Sequence, residues 1–235
     1  MTTTNTTTFN LDLNNLVEEA FERCGSELRT GYDMRTARRS LNLLTIEWAN
    51  RGINLWTVDQ GVIDLTQGTI SYNLPVDTID LLDHVVRTGT GQSQSDINIT
   101  RISSSTYSTI PNKNAQGRPI QVWVDRQSGA TEPSGVAYPT INVWPAPDQS
   151  NYYSFVYWRL RRIQDAGNGV NTQDIPFRFL PCMVAGLAYY LSLKIPEAMN
   201  RIEMLKMAYE EQWNLASTED RDKASLRLAP REMFY

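Results

Sequence analysis

The residues that could carry out chemistry are few and widely spaced in this sequence. Among 235 residues there is one histidine, His84, and there are two cysteines, Cys24 and Cys182. A Ser-His-Asp or Cys-His site would have to use His84, yet the sequence contains no GxSxG motif and neither cysteine stands in a catalytic motif. We interpret His84 as a structural or surface residue. The cysteines lie among apolar residues at helical spacing, which indicates two buried thiols.

Sites for metals and cofactors are not indicated either. The sequence has no HExxH or CxxC spacing that would hold a metal ion. It also has no Walker A motif and no GxGxxG motif for a nucleotide. The sequence therefore predicts neither a metal nor a cofactor.

Paired carboxylates leave one enzymatic alternative open, because a glycosidase places two acids across a cleft. The sequence contains three such pairs: Glu18-Glu19, Asp80 with Asp83, and Glu210-Glu211. Two of the pairs lie in helix-like segments, where charged residues normally form a solvated face. We predict that the protein is not an enzyme, and a cell-wall-degrading carbohydrate-active enzyme remains the alternative from another class.

The net charge and the hydropathy restrict the classes of binding partner that the sequence predicts. The net charge of −4 argues against tight DNA binding, which needs an excess of Lys and Arg against the phosphates. Such a chain can still surround DNA without holding it. The longest mostly apolar run without charges, Phe179 to Leu193, contains Pro181 and is too short to cross a bilayer. We expect no membrane partner.

The N-terminal part of the chain predicts two helices. Residues 1–9 are rich in Thr and Asn and are expected to be disordered. A first helix follows Asp12 and ends at Gly25, and a second helix has Asp33 as its N-cap and ends at Gly52. The apolar face of the second helix consists of Met34, Ala37, Leu41, Leu44 and Trp48, and the opposite face carries Arg35, Arg38, Arg39 and Glu47. We interpret this basic cluster as a solvated or subunit-facing surface, and a DNA contact as the alternative.

The middle of the chain changes to a period of two, which is typical of strands. We expect about five to seven strands between residues 55 and 164. The predicted strands are Val58–Leu65, Ile70–Leu74, Ile97–Ile102, Ile120–Arg126, Tyr138–Trp144 and Tyr153–Ile163. The segment Ile79–Arg87 is ambiguous between a strand and a short helix.

Helical patterns return near Asp174. Pro181 makes the start of the first of these helices ambiguous, and Pro196 suits the first turn of the next helix. The next helix has one apolar face that includes Trp213, and the pattern stops after Ser217. The segment that follows is polar with sparse apolar residues, so it cannot form a core of its own.

Together these patterns predict an α+β fold. The helices at the two ends of the chain must pack together, because neither pair alone buries its apolar faces. We therefore expect a four-helix bundle formed by the N- and C-terminal helices, an inserted and mainly antiparallel β subdomain, and an extended C-terminal tail. The expected boundaries are residues 1–9 for the disordered N-terminus, 10–54 and 174–216 for the helical bundle, 55–173 for the β subdomain, and 217–235 for a docking tail.

Five short stretches, taken in order, resemble the head-to-tail adaptor families of short-tailed bacteriophages, known as tail tubular protein A and gp4-like adaptors. The resemblance covers about residues 10–216. The stretches are IEWANRGINLWTVDQG at 46–61, LTQGTISYNLP at 65–75, GRPIQVWVDR at 117–126, INVWPAPD at 141–148, and DIPFRFLPCMVAGLAYYLSLKIP at 174–196.

The resemblance implies a structural virion protein in the neck of a tailed phage, assembled in the host cytoplasm. It implies twelve copies in a ring beneath the portal protein, with double-stranded DNA passing through the channel without sequence-specific binding. A tail nozzle or other tail proteins would bind the β subdomains. The ring would extend the channel and help to retain and eject the genome. A nozzle, stopper or completion protein is the alternative within the virion.

Two sets of residues are predicted to make the contacts of such an adaptor. The apolar residues of the tail are expected to bind the portal: Leu226, Leu228, Pro230, Met233, Phe234 and Tyr235. The residues expected at the contact between subunits are Arg35, Arg38, Arg39 and Trp213.

Overall fold

A computed structural model of the chain describes residues 5, 11–52, 55–126, 131–132, 135–136, 138–167 and 171–221. The chain divides into two compact units. One consists of Met1–Leu55 and Gln164–Tyr235 and contains the long helices, and the other is Trp56–Ile163 and contains the strands. The α+β fold predicted from the sequence is therefore confirmed.

Five α-helices lie in the described part of the chain. They are α1 (Leu13–Cys24), α2 (Gly31–Arg51), α3 (Ser104–Ser108), α4 (Leu180–Ser192) and α5 (Ile202–Glu219). Short 3-10 turns precede the last two helices, at Phe177–Phe179 and Pro196–Arg201.

The ends of α1 and α2 follow local capping chemistry. Asp12 caps α1 by accepting a hydrogen bond from the backbone N–H of Asn15 at 2.8 Å, and Gly25 ends it with a φ of 78° that favours glycine. The predicted N-cap of α2 was wrong. Thr30 is the N-cap, and Asp33 is the third helical residue of a capping box, with its carboxylate accepting from Thr30 N–H at 3.0 Å.

Helix α4 is the centre of the helical unit. It is buried on nearly all sides and packs against α1, α2 and α5. Pro181 lies in its first turn, where the backbone needs no N–H donor, so the proline begins this helix without interrupting it. At Gly186 an added Cβ would lie 2.9 Å from both Leu44 and Tyr209, which shows how closely the neighbouring helices approach.

Helix α5 is longer than the sequence pattern predicted. It continues past Ser217 to Glu219, and the next residue, Asp220, is buried. The Asp220 carboxylate pairs with Arg178 and accepts a hydrogen bond from Leu55 N–H at 3.0 Å. Residues 217–220 therefore belong to the helical unit, not to a separate tail.

The second unit is built from strands. They are β1 (Val58–Asp64), β2 (Ser71–Asn73), β3 (Thr78–Thr88), β4 (Ser95–Asn98), β5 (Thr100–Ile102), β6 (Gln121–Asp125), β7 (Thr131–Glu132), β8 (Gly135–Val136), β9 (Thr140–Trp144) and β10 (Tyr153–Arg161). One sheet has the order β1-β10-β3-β4 and a second has the order β2-β9-β6-β5, while β7 and β8 form a separate pair. The β5–β6 pair is parallel and the other described pairs are antiparallel.

The two four-stranded sheets share one apolar core, because side chains from both contribute to a single buried cluster that includes Leu81, Val86, Val122 and Phe155. The structure differs from the sequence predictions for two segments of this unit. The ambiguous segment 79–87 lies in the long strand β3. The single strand predicted at 97–102 is two strands in different sheets, with Ile99 between them in the core. In the described part of the chain, no helix combines the length and the apolar character that crossing a membrane requires.

Candidate functional site

The two cysteines are buried in the helical unit and are not bonded to each other. The thiol of Cys24 donates a hydrogen bond to the carbonyl of Ala188 at 3.1 Å. Burial raises the pKa of Cys24 to about 11 and that of Cys182 to about 12. Both thiols are therefore protonated at neutral pH, and the thiolate that a nucleophile or metal ligand needs is disfavoured. The prediction of two buried thiols is confirmed.

His84 lies on β3 and is half-buried, with its ring stacked on Phe155 at 5.8 Å between centroids. Burial lowers the pKa of His84, and the positive charge of Arg101 lowers it further. The imidazole is thus neutral at physiological pH and packs as an aromatic ring. Across the described ranges, no group of three or more His, Cys, Asp or Glu residues could hold a metal ion.

In the carboxylate pairs Asp80 with Asp83 and Glu210-Glu211, one acid of each pair is held by arginine side chains. Asp80 pairs with Arg101 at 2.7 Å and with Arg126 at 3.0 Å. Glu210 receives two hydrogen bonds from Arg51, at 2.8 and 3.0 Å, and this arginine keeps the pKa of Glu210 below its usual value. A general acid needs the opposite shift, so the geometry at Glu210 favours a structural role.

A network of aromatic and charged side chains joins α2 to α5. The buried indole N–H of Trp48 donates to the Tyr209 hydroxyl at 2.9 Å, and that hydroxyl lies 3.3 Å from a carboxylate oxygen of Glu47. The other oxygen of Glu47 accepts from the Tyr190 hydroxyl at 2.6 Å, and Arg51 donates to Glu47 at 2.8 Å. Glu47 was predicted on the outer face of α2, but these hydrogen bonds turn it towards α4 and α5.

Trp213, a predicted subunit-contact residue, lies half-buried within its own chain. Its ring is 5.4 Å from that of Trp48 and 6.1 Å from that of Phe179, and the Arg51 guanidinium lies 4.9 Å from its centre. These contacts make Trp213 part of the packing between α5 and α2.

The predicted basic residues lie together on the outer side of α2. Arg35 and Arg39 are exposed, and Arg38 is half-buried and donates to the Ala166 carbonyl at 3.4 Å. Arg39 donates to Thr36 of its own helix at 3.2 Å. The three arginines line a shallow cavity of about 490 Å³. The structure thus brings these three residues together and places Trp213 elsewhere, in the packing between α5 and α2.

Large apolar side chains are exposed on α2 and α5, and the sequence patterns missed them. On α2, Leu43 is 53% exposed and Ile46 is 59% exposed. On α5, Met204, Met207 and Leu215 are 59%, 74% and 61% exposed. The sequence did contain a signal for them, because these residues are apolar although their positions do not belong to the buried face of the helix. Exposed apolar side chains that cluster on one surface mark a contact with another molecule.

The residues predicted to bind the portal lie outside the described residues. They are Leu226, Leu228, Pro230, Met233, Phe234 and Tyr235. The N-terminal segment 1–9 also lies outside, apart from Asn5.

No curated protein matches the sequence. A family model described as SU10 adaptor protein matches residues 12–231, which covers both compact units and nearly the whole chain. This is a family of phage head-to-tail adaptors, as the resemblance of the five stretches had predicted. The chain belongs to the SU10 adaptor protein family, and it is a head-to-tail adaptor of a bacteriophage and a structural protein of the virion neck.

Proposed function

We propose that this protein forms a ring of twelve copies between the portal and the tail and extends the channel through which the genome passes. The observation that carries the proposal is the match to the adaptor family over residues 12–231. An adaptor of this kind associates with the portal on one side and with tail proteins on the other.

The helical unit is proposed to build the ring. In this proposal α1, α2, α4 and α5 form a four-helix bundle, and the β unit is an inserted domain to which the nozzle or other tail proteins bind. Arg35, Arg38 and Arg39 contribute to the contact between neighbouring subunits. Trp213 contributes to this contact indirectly, because its ring packs against Trp48 of the same chain and holds α5 against α2.

Passage of DNA is compatible with the charge of the chain. Tight binding of a duplex requires many Lys and Arg contacts to phosphate, and this chain has a net charge of −4. A channel wall that does not hold the phosphates lets DNA slide during packaging and ejection. We propose that the ring helps to retain the genome by surrounding the DNA in its channel. It does not bind the DNA in a sequence-specific way.

The segment after Arg221 is proposed to join the ring to the portal. Its apolar residues, from Leu226 to Tyr235, are too few for a core of their own, which is typical of a segment that folds on binding. Asp220, immediately before it, is held by Arg178 and by Leu55 N–H, so the segment starts from a fixed point on the helical unit.

The test is a deletion of residues 222–235, followed by binding to purified portal rings. We expect the truncated protein to keep the circular dichroism spectrum and melting temperature of the full chain and to lose attachment to the portal. A matched control keeps the segment at full length and replaces Asp222 by Asn, which leaves the apolar residues in place and should preserve binding. Attachment of the truncated protein with unchanged affinity would contradict the proposed joint.

Ring formation is tested by light scattering and electron microscopy of the full chain alone and with portal rings. We expect a monomer or weak associations alone, and rings on the portal. A stable dodecamer in the absence of the portal would contradict assembly on the partner.

A further inference from the structure

Helices α2 and α5 each carry an outward stripe of two apolar residues with one charged residue at its end. On α2 the stripe is Arg39, Leu43 and Ile46, and on α5 it is Met204, Met207 and Glu211. We propose that α2 of one subunit packs antiparallel against α5 of the next subunit, with these two stripes in contact. The proposal rests on the ring proposed above and identifies which surfaces of the chain close it.

Burial separates each stripe from the core side of its helix. On α2, Leu44 and Trp48 are fully buried, whereas Leu43 and Ile46 are more than half exposed. On α5, Leu205 and Tyr209 are buried, whereas Met204 and Met207 are the exposed neighbours. Both helices bury their inner sides against α4, so the stripes face away from the core of their own subunit.

The charges on the two stripes are opposite. The α2 stripe carries Arg39, with Arg35 one turn before it, and the α5 stripe carries Glu211. Both Arg39 and Glu211 are exposed, and neither forms an ion pair within the described part of the chain. A contact between the α2 and α5 stripes can therefore pair Arg39 with Glu211, whereas a contact between two α2 stripes offers Arg39 no acidic partner.

The spacing of the residues determines the direction of the contact. Along α2, the steps from Arg39 to Leu43 to Ile46 are four and three residues, and along α5 the steps from Met204 to Met207 to Glu211 are three and four. Read in opposite directions the two stripes match, and each spans about 10.5 Å at 1.5 Å per residue.

An antiparallel alignment places the charged pair at one end and two apolar pairs beside it. The pairs are Arg39 with Glu211, Leu43 with Met207, and Ile46 with Met204. A parallel alignment would instead place Arg39 against Met204 and Ile46 against Glu211, which leaves both charges facing apolar side chains. Because the two surfaces differ, the contact is heterologous, and repetition of such a contact generates a ring when the rotation between neighbouring subunits closes.

Disulfide crosslinking between two differently labelled copies tests the register. One copy carries Leu43→Cys and the other carries Met207→Cys, and the mixture is assembled on portal rings and mildly oxidised. The native thiols of Cys24 and Cys182 are buried, so they do not compete. We expect a covalent dimer that contains one copy of each kind.

A matched control replaces Met207→Cys by Leu215→Cys, which is also exposed but lies about 12 Å further along α5. We expect crosslinking to fall several-fold with this pair. Equal crosslinking of the two pairs would overturn the register. A dimer of two Leu43→Cys copies would overturn the heterologous contact.

Charge reversal tests the partner of Arg39 independently. We expect Arg39→Glu and Glu211→Arg each to reduce the yield of rings several-fold, and the double variant to restore it. Exposed Glu22 on α1 is the competing acidic partner. Rescue of Arg39→Glu by Glu22→Arg, and not by Glu211→Arg, would overturn the proposed contact.

The two proposals fail in different ways. If the wild-type protein forms no ring with the portal, the proposed function fails and this contact fails with it. If rings form in electron micrographs and the Leu43→Cys and Met207→Cys copies do not crosslink within them, the ring stands and the α2–α5 contact is wrong.

Discussion

Removing a single hydroxyl group, in Tyr209→Phe, tests whether the network between α2 and α5 holds the helical unit together. The Tyr209 hydroxyl accepts the indole N–H of Trp48 at 2.9 Å and lies 3.3 Å from Glu47. Trp48 is fully buried, and burial raises the pKa of Tyr209, so the phenol is neutral and available as both donor and acceptor. Phenylalanine has nearly the same shape and leaves the packing of the ring in place.

The size of the expected stability loss follows from the Trp48 indole N–H, which loses its hydrogen-bond acceptor. Without the hydroxyl, the Trp48 N–H is buried with no acceptor at that position, and such a group costs about 1–3 kcal/mol. Glu47 loses only a long contact and keeps Tyr190 and Arg51 as donors. We therefore expect the free energy of unfolding to fall by about 1–3 kcal/mol, with most of the loss due to the indole.

Urea unfolding followed by far-ultraviolet circular dichroism measures this change, because the long helices all lie in the helical unit. The matched control is Tyr32→Phe in the same unit, where the side chain is 62% exposed and a change within about 0.5 kcal/mol is expected. A double-mutant cycle with Trp48→Phe isolates the pair, and Tyr209→Phe should cost less in that background. A loss no larger than that of Tyr32→Phe would refute the reasoning.

Two further predictions concern the ion pair of α5 and the β unit. Because Arg51 holds the pKa of Glu210 below its usual 4.5, the stabilisation from this carboxylate is present above about pH 4.5 and is lost as the pH falls through the lowered pKa. Acid titration of the unfolding free energy should therefore be less steep in Glu210→Gln, and an identical slope would contradict this. In the β unit, a Cβ at position 61 would overlap the ring of Tyr157, so Gly61→Ala should destabilise by about 1–3 kcal/mol in thermal unfolding. The exposed neighbour Gln60→Ala is the control, and equal melting temperatures for the two variants would contradict the close approach.

Local sequence patterns determine some helix ends in this chain and not others. The limits of α1 follow from Asp12 and Gly25, because capping depends on residues within one helical turn. The same local rule failed at α2, where Thr30 and Asp33 both have capping side chains and only their mutual hydrogen bonds decide which one is the cap.

The sequence by itself determined the α+β class, the buried thiols and the membership of a head-to-tail adaptor family, because these depend on periodicity and on ordered motifs along the chain. Only the tertiary structure decided which distant segments of the chain contact each other. It placed β4 and β5 in different sheets, and it turned Trp213 towards Trp48 while leaving Met207 exposed. The physical reason is that an apolar side chain on a helix is buried or exposed according to what packs against it, and that partner can lie more than a hundred residues away.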